Sequence, residues 1–431
     1  MRFVALALLL ITVPAVAQEK RPGISVTVSG AFLNAGFAHP VEKTTPVELP
    51  YKKYLVSGTA ELTGRMSFQP LPCADHVRLK MVMSGTAVGY DSAQIRCLRV
   101  HTIDRSRVCV QQEVFINRSG VRAGESTVSA PTVSEFQSAS AGKPPLRDAI
   151  VRSLARSQFR FLPAKSNRMA TEVSEIVLRQ EIENDLPVLM GKANDRFQSQ
   201  FMELLTGFEI PSEGLSFSST ADAIGLSIVV PDTMPTASPV LNNADVSLSI
   251  HESVLNRLAR QMYGGSTQVG LEFERDLKRA MHLLGGPAPK DEPGAIPWSA
   301  TFTKQDPITF HFHNSTLRIV LRGDEFEVGK EQHKAMSATI EYDIVADAAG
   351  IRAVRNRPIN VTPPGLAPGA TPTPRQQFLR GYLVAKFGQL LPKQLELSQL
   401  VLPEDLGAAR TAKVSRVQAE NGWLTLELRL P

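Results

Sequence analysis

Ile24-Ser-Val-Thr-Val-Ser-Gly-Ala-Phe-Leu-Asn34 lies near the start of the sequence and has a counterpart in Val246-Ser-Leu-Ser-Ile-His-Glu-Ser-Val-Leu-Asn256. In both stretches an alternating, strand-like pattern leads into the pair Leu-Asn. The ends of the two halves also correspond, because Phe201-Met-Glu-Leu-Leu205 and Phe387-Gly-Gln-Leu-Leu391 are each followed by a proline and a pair of strand-like segments. Four matches in the same order at nearly constant offset indicate an internal repeat, and a repeat determines the architecture.

The first 17 residues have the pattern of an export signal. Arg2 supplies the positive charge, residues 3–13 are apolar, and Ala15-Val-Ala17 is a small-x-small cleavage site. No other segment is apolar over a length that spans a bilayer. We therefore expect an exported mature chain, periplasmic or extracellular, without a transmembrane span.

Charge and composition narrow the range of partners. A net charge of +5 over 431 residues is modest, so it allows peripheral contact with a membrane or the cell envelope without requiring it. The sequence has no long block of like charges and no interleaving of arginine with aromatic residues, which argues against nucleic acid. It also has no nucleotide-binding loop and no nucleophile motif of hydrolases, so we expect no enzyme and no cofactor.

The pattern of apolar residues predicts sheets followed by helices. Residues 54–129 alternate loosely between turn residues, which is typical of long antiparallel strands. Apolar residues at helical spacing predict a short helix after Pro145 and a long one from about Asn167 to Leu205, interrupted or kinked at Pro187. The pair Asn421-Gly422 between two alternating segments predicts a hairpin.

These elements predict an α+β fold in which each half is a curled antiparallel sheet wrapped around an amphipathic helix. Each element has one apolar face, so each can cover the other. We expect a signal peptide at 1–17, a first barrel at 18–231, a Pro-rich linker at 232–245 and a second barrel at 246–431.

This doubled order resembles the tubular lipid-binding superfamily, in particular the bactericidal/permeability-increasing and lipopolysaccharide-binding proteins. The resemblance rests on the two entry segments, 24–34 and 246–256, on the helices that end at Leu205 and Leu391, and on closing strands such as 423–430. It covers the layout of nearly the whole mature chain. It implies two tandem barrels whose apolar tunnels hold lipid chains. The family's helix-to-strand disulfide and basic tip have no counterpart here.

An apolar slot between sheet and helix would suit acyl chains, whereas normal packing of Leu, Val, Met and Phe would fill it. Aromatic residues make up only 6% of the chain, which favours a hollow interior, and the first half is the better candidate. The residues expected to line it share one face of the long helix: Val173, Ile176, Val177, Leu189, Phe197, Phe201 and Leu204.

Two other groups of residues predict chemistry other than lipid binding, namely a disulfide and a metal site. An exported chain with three cysteines predicts one disulfide among Cys73, Cys97 and Cys109, with the pairing left open. His311 and His313 are two apart on a predicted strand, so they share a face and are remote candidates for a zinc site. A polar, solvent-facing strand surface is the interpretation that we favour for them.

Three functional hypotheses follow. The first is an exported, non-catalytic protein that binds or carries lipid or another apolar ligand inside one or both barrels. The second is a structural or adhesive envelope protein with packed barrels. The third is a metal-dependent hydrolase that uses His311 and His313.

Overall fold

The computed structural model describes most of the chain after the predicted export signal, which lies outside the described residues. The described ranges are 21–95, 98–141, 145–233, 235–236, 239, 244–283, 296–347, 350–366, 371–397, 399–401 and 411–430. They form two compact units. The smaller unit holds Phe37–Leu71 and Arg78–Phe197; the larger unit holds the described residues up to Gly36, Pro72–Val77 and those from Gln198 onwards. The predicted barrel boundaries at 231 and 246 remain predictions.

The strands and helices are named here in chain order. The strands are β1 (Ile24–Ser29), β2 (Pro40–Tyr51), β3 (Tyr54–Leu71), β4 (Val77–Ile95), β5 (Leu98–Asn117), β6 (Gly120–Ser129), β7 (Thr132–Ser140), β8 (Leu215–Ser219), β9 (Ala223–Ile228), β10 (Val246–His251), β11 (Thr267–Val269), β12 (Trp298–Phe302), β13 (Ile308–His313), β14 (Thr316–Val328), β15 (Glu331–Asp347), β16 (Gly350–Val354), β17 (Asn360–Thr362), β18 (Gln394–Glu396), β19 (Gln399–Val401), β20 (Thr411–Glu420) and β21 (Trp423–Arg429). The helices are α1 (Gly30–Phe37), α2 (Pro145–Phe161), α3 (Pro163–Arg196), α4 (Glu203–Gly207), α5 (Glu252–Tyr263), α6 (Gly270–Leu283) and α7 (Pro374–Leu390), with a π-helical turn at Phe197–Met202 and a 3₁₀ turn at Ser212–Gly214.

The two entry segments of the repeat meet in one sheet of the larger unit. Strands β1 and β10 pair antiparallel, with Ile24 opposite Ile250 and Val28 opposite Val246. The closing strands of the two halves flank them, β9 on β1 and β21 on β10. This seven-stranded sheet, in the order β19-β20-β21-β10-β1-β9-β8, therefore repeats one strand arrangement about its centre.

The predicted C-terminal hairpin is confirmed. Strands β20 and β21 pair from Glu420 opposite Trp423 onwards. Asn421 and Gly422 connect them with φ values of 52° and 81°. Positive φ at both central positions is what a type I′ turn requires, and Asn-Gly adopts it at low cost.

A second sheet of the larger unit is tightly covered by helices. Its strands run β11-β12-β14-β15-β16-β18, with β13 on β14 and β17 on β15. Helix α7 buries five residues in the core of this unit: Leu379, Leu383, Lys386, Phe387 and Leu390. Tyr342 and Trp298 pack into the same cluster. Large buried side chains therefore occupy this interior.

The smaller unit is a six-stranded antiparallel sheet accompanied by α2 and α3. Its strands run β2-β3-β4-β5-β6, with β7 also on β5. The 34-residue helix α3 continues through Pro187 and ends at Arg196. The strands β3, β4 and β5 are 18, 19 and 20 residues long.

The described structure confirms the α+β class, the antiparallel sheets and the long helix, but it corrects the expectation of barrels. Each described sheet is open, and the strands at its edges pair on one side only. Among the described helices, none combines the length and the apolar character needed to cross a bilayer.

Candidate functional site

Helix α3 is attached to one side of the sheet of the smaller unit by a row of polar side chains. Asn167, Thr171 and Glu175 accept hydrogen bonds from the backbone N–H groups of Ser134, Thr132 and Ala130, at 3.0, 3.0 and 3.2 Å. Four helical residues advance about 6 Å and two strand residues about 6.7 Å, so the two repeats stay nearly in step. The helix thereby covers backbone N–H groups that could otherwise pair with another strand.

On the opposite side, α3 is held to β2 by exposed ion pairs. Lys43 contacts the carboxylates of Glu181 and Asp185, the latter at 2.8 Å. Hydrogen bonds and charges from both, led by the Asp185 hydrogen bond, raise the pKa of Lys43. Glu172 accepts hydrogen bonds from Tyr51 and Lys52. Because the sheet is open, α3 bridges its two sides; on the β2 side these ion pairs, which water screens, flank an apolar cluster in which Val173, Ile176 and Val177 pack against Val47, Tyr51 and Val56.

The sheet face beneath α3 is depleted of side-chain volume. Residues opposite each other in an antiparallel pair share a face. The pairs between β3 and β4 on this face are Gly58 with Asp91, Ala60 with Gly89, Leu62 with Ala87, and Gly64 with Gly85. These small residues leave a space that larger side chains would fill.

That space is a partly open cavity of about 80 Å³ lined by four strands and the helix, all within the smaller unit. Its apolar walls include Val47 and Leu62 from the sheet and Val173, Val177 and Leu178 from α3. Strands β4 and β5 contribute two carboxyl groups, those of Asp91 and Asp104. The cavity is thus an apolar chamber with an acidic patch on one wall.

The acidic patch is built into the sheet interior. Ser134 donates a hydrogen bond of 2.5 Å to Oδ1 of Asp104. In contrast, Oδ1 of Asp91 is fully buried and accepts no hydrogen bond from the described residues. A Cβ atom on Gly58 or Gly89 would overlap the Asp91 carboxylate, so these two glycines provide its room.

Burial shifts the acidity of both groups. It raises the pKa of Asp91 from 3.8 to about 7, assisted by the negative charge of Asp104. Burial also raises the pKa of Asp104, and this effect outweighs the hydrogen bonds from Ser134 and Thr102 that lower it. Near neutral pH the pair therefore holds part of one proton instead of carrying two full charges.

Replacing Asp91 with Asn should alter the pH dependence of stability. Because the folded protein binds the Asp91 proton more tightly than the unfolded chain does, the wild type loses stability as pH rises from about 4 to about 7. We expect Asp91→Asn to be more stable than the wild type by about 2 kcal/mol at pH 8 and equally stable near pH 4. Urea titrations at both pH values test this, since titrating groups other than the coupled Asp104 cancel in the difference. An equal effect at both pH values contradicts it.

The residues predicted to line an apolar slot are divided between different surroundings. Val173 and Val177 line the cavity, and Ile176 packs beside them against Val47, Tyr51 and Val56. Leu189 is 54% exposed farther along α3. Phe201 is 2% exposed and belongs to the larger unit. Phe197 is half-buried in the π-helical turn, and the side chain of Leu204 lies outside the described residues.

The histidine pair lies on an exposed strand face. His311 and His313 on β13 are exposed, while Phe312 between them is buried. Nδ1 of His311 is 3.7 Å from a carboxylate oxygen of Glu252. Within the described part of the chain, no three His, Cys, Asp or Glu side chains gather as a metal site would require.

The thiols of Cys73 and Cys109 are free, and Cys97 lies outside the described residues. Sγ of Cys73 lies 3.3 Å from Nδ1 of His76 within one loop.

Sequence reasoning missed Asp91 and Asp104, the most unusual chemical groups of the cavity. Each stands in an alternating strand segment, where a lone aspartate ordinarily faces solvent. One usable signal was the position of Asp91: it follows Gly89-Tyr90, and the nearest preceding residues on the same strand face are Gly85 and Ala87. An aspartate two, four or six residues from such small residues lies on the same face of the sheet, which here is the face covered by α3.

No protein-family model and no curated protein matches the sequence. Among solved structures, the chain is similar to the crystal structure of lipopolysaccharide binding protein, with 12% identity over 95% of this chain and 99% of that chain and a TM-score of 0.30. It is also similar to the crystal structure of P47 of Clostridium botulinum E1, with 12% identity over 96% and 100% of the two chains and a TM-score of 0.27. Neither similarity bears on what this chain binds.

Proposed function

We propose that the smaller unit binds an apolar chain, such as the acyl or alkyl chain of a lipid, between α3 and the curved sheet, without catalysis. The observation that carries this proposal is the poor coverage of α3. Of its described side chains Ala170 alone is buried, whereas the 17-residue α7 buries five. Apolar helix faces gain stability from burial, so a half-covered face over a depleted sheet is a surface that a ligand would complete.

Binding requires the cavity to widen. Its volume of about 80 Å³ is well below the roughly 300–1,000 Å³ of ordinary small-molecule sites. We expect α3 to separate on the β2 side, where the ion pairs of Lys43 are partly or fully exposed and contribute only about 0–1 kcal/mol each, and where a ligand chain would replace the apolar contacts of Val173 and Val177. The backbone hydrogen bonds of Asn167, Thr171 and Glu175 would hold the other side. The predicted export signal would direct this activity to the periplasm or the cell exterior.

Probe binding to a cavity-filling variant tests the proposal. We expect the full-length protein to bind the neutral fluorescent probe N-phenyl-1-naphthylamine, and Ala87→Leu, which fills the cavity from β4, to weaken binding about ten-fold. The matched control is Thr86→Leu, since Thr86 is exposed on the other face of the same strand. Organic extraction and mass spectrometry of the purified protein should recover bound lipid.

Two results contradict the proposal. One is the absence of both probe binding and extractable lipid, which would favour an envelope protein with packed domains. The other is equal binding by the wild type, Ala87→Leu and Thr86→Leu, which would place the probe elsewhere.

A further inference from the structure

We infer that the cavity of the smaller unit selects amphiphiles whose apolar chain carries a cationic amine, and that Asp91 and Asp104 receive the amine. This inference rests on the proposed function and specifies its ligand class. It is drawn from the charges of the lining and from the unsatisfied oxygen of Asp91.

The charged groups of the lining favour a cation. Those that face the cavity are Lys43 from β2, Asp91 from β4, Asp104 from β5 and Glu181 from α3, which is one lysine against three carboxyl groups. Lys43 already contacts Glu181 and Asp185, so it is engaged at the β2 side. A ligand carboxylate or phosphate would therefore meet uncompensated negative charge, whereas an ammonium group would be attracted.

The Asp91 carboxyl group hydrogen-bonds with Asp104 but has one oxygen that accepts no hydrogen bond from the described residues. Its Oδ1 is fully buried without a hydrogen bond from the described residues, and a buried acceptor in that state is costly. An ammonium group has three donors, enough to serve Oδ1 of Asp91 and an oxygen of Asp104 together. Gly58 and Gly89 leave the room that the Asp91 carboxylate itself occupies, and so allow it to lie on the cavity face of the sheet.

Amine binding also displaces a proton. In the free protein the pair shares a proton near neutral pH, and an ammonium group stabilises the fully ionised pair, so the proton passes to the buffer. Amine affinity should therefore increase from pH 6 to pH 8, while the ammonium group itself stays charged. Among the lining groups, Lys43 has a raised pKa and does not change its charge in this range.

Three ligands that share one alkyl chain and differ in headgroup distinguish the contribution of the headgroup to affinity from that of the chain. Dodecylamine, dodecanol and dodecanoate are titrated, below their aggregation concentrations, against the full-length protein loaded with N-phenyl-1-naphthylamine. We expect dodecylamine to displace the probe at a concentration at least ten-fold lower than dodecanoate, with dodecanol between them. The double variant Asp91→Asn/Asp104→Asn should lose this preference and its pH dependence while retaining dodecanol affinity within about two-fold.

The possible failures are distinguishable. If dodecanoate binds as well as dodecylamine, or if the double variant keeps the amine preference, the inference is overturned and the proposed function stands. If none of the three displaces the probe, and the probe binds Ala87→Leu as well as the wild type, the proposed function fails together with the inference. If the double variant does not fold, the single variant Asp91→Asn tests the same amine preference. It keeps the Asp104 carboxylate, which accepts the Ser134 hydrogen bond.

Discussion

Replacing Lys386 with Met should destabilise the larger unit by about 3 kcal/mol, the largest effect expected of a single side chain here. Lys386 on α7 lies 2.8 Å from Glu274 on α6, and the two side chains are only 9% and 12% exposed. The substitution keeps the apolar stem but leaves the Glu274 carboxylate without its counter-charge in a buried site. Trp298, whose indole N–H donates to Glu274 at 2.6 Å, compensates only in part. Urea denaturation followed by tryptophan fluorescence measures the loss.

A second variant separates lost charge pairing from lost packing. In Lys386→Met/Glu274→Gln the amide still accepts the Trp298 hydrogen bond, but no charge remains buried. We expect the double variant to recover at least half of the loss, because replacing both partners of a buried pair is often nearly neutral. A single variant within about 0.5 kcal/mol of the wild type would contradict the importance of this pair.

Replacing Gly85 with Ala should cost about 2–3 kcal/mol, although it adds a single methyl group. Gly85 on β4 stands opposite Gly64 on β3, and a Cβ atom there would overlap the carbonyl oxygen of Thr63 and lie 2.6 Å from Cα of Gly64. Both obstacles are backbone atoms, so no side chain can rotate to make room. The two strands would have to separate where glycines let them approach closely.

Gly191→Ala is the matched control, because it adds the same methyl group within the same unit. Gly191 is exposed on α3, and a Cβ atom there meets no atom within 4 Å. Alanine restricts the unfolded chain and favours helix, so this change should stabilise by about 0.5–1 kcal/mol. Opposite signs for the two substitutions would confirm the close approach of β3 and β4; two similar stabilities would exclude it. Thermal or urea unfolding is sufficient for this comparison.

Local patterns predicted much of the fold because their causes are local. The alternation at Ile24–Ser29, the helix predicted to end at Leu391 and the turn at Asn421-Gly422 each depend on neighbouring residues. The repeat at 24–34 and 246–256 likewise appears in the central sheet, where β1 and β10 pair. Strand and helix preferences express backbone sterics and the pattern of apolar faces, so a single sequence carries them.

The attachment of α3 to both sides of the open sheet in the smaller unit could not be predicted from local patterns. The apolar stripe of α3 indicates that the helix needs a partner, but not that Asn167, Thr171 and Glu175 hold strand N–H groups while Lys43 holds the other side. Polar residues on a helix ordinarily face water, and their partners lie 33 residues or more away. The expected barrel is instead an open sheet bridged by a helix.

The sequence by itself determined the α+β class, the order of strands and helices, and the doubled entry segment, because propensity and periodicity act over a few residues. Only the tertiary structure decided that α3 is sparsely covered and that Asp91 and Asp104 share one apolar cavity. Strand register brings those two residues together from 13 positions apart, and burial then changes their chemistry. Register and burial depend on the whole sheet, so the candidate site exists only once the chain has folded.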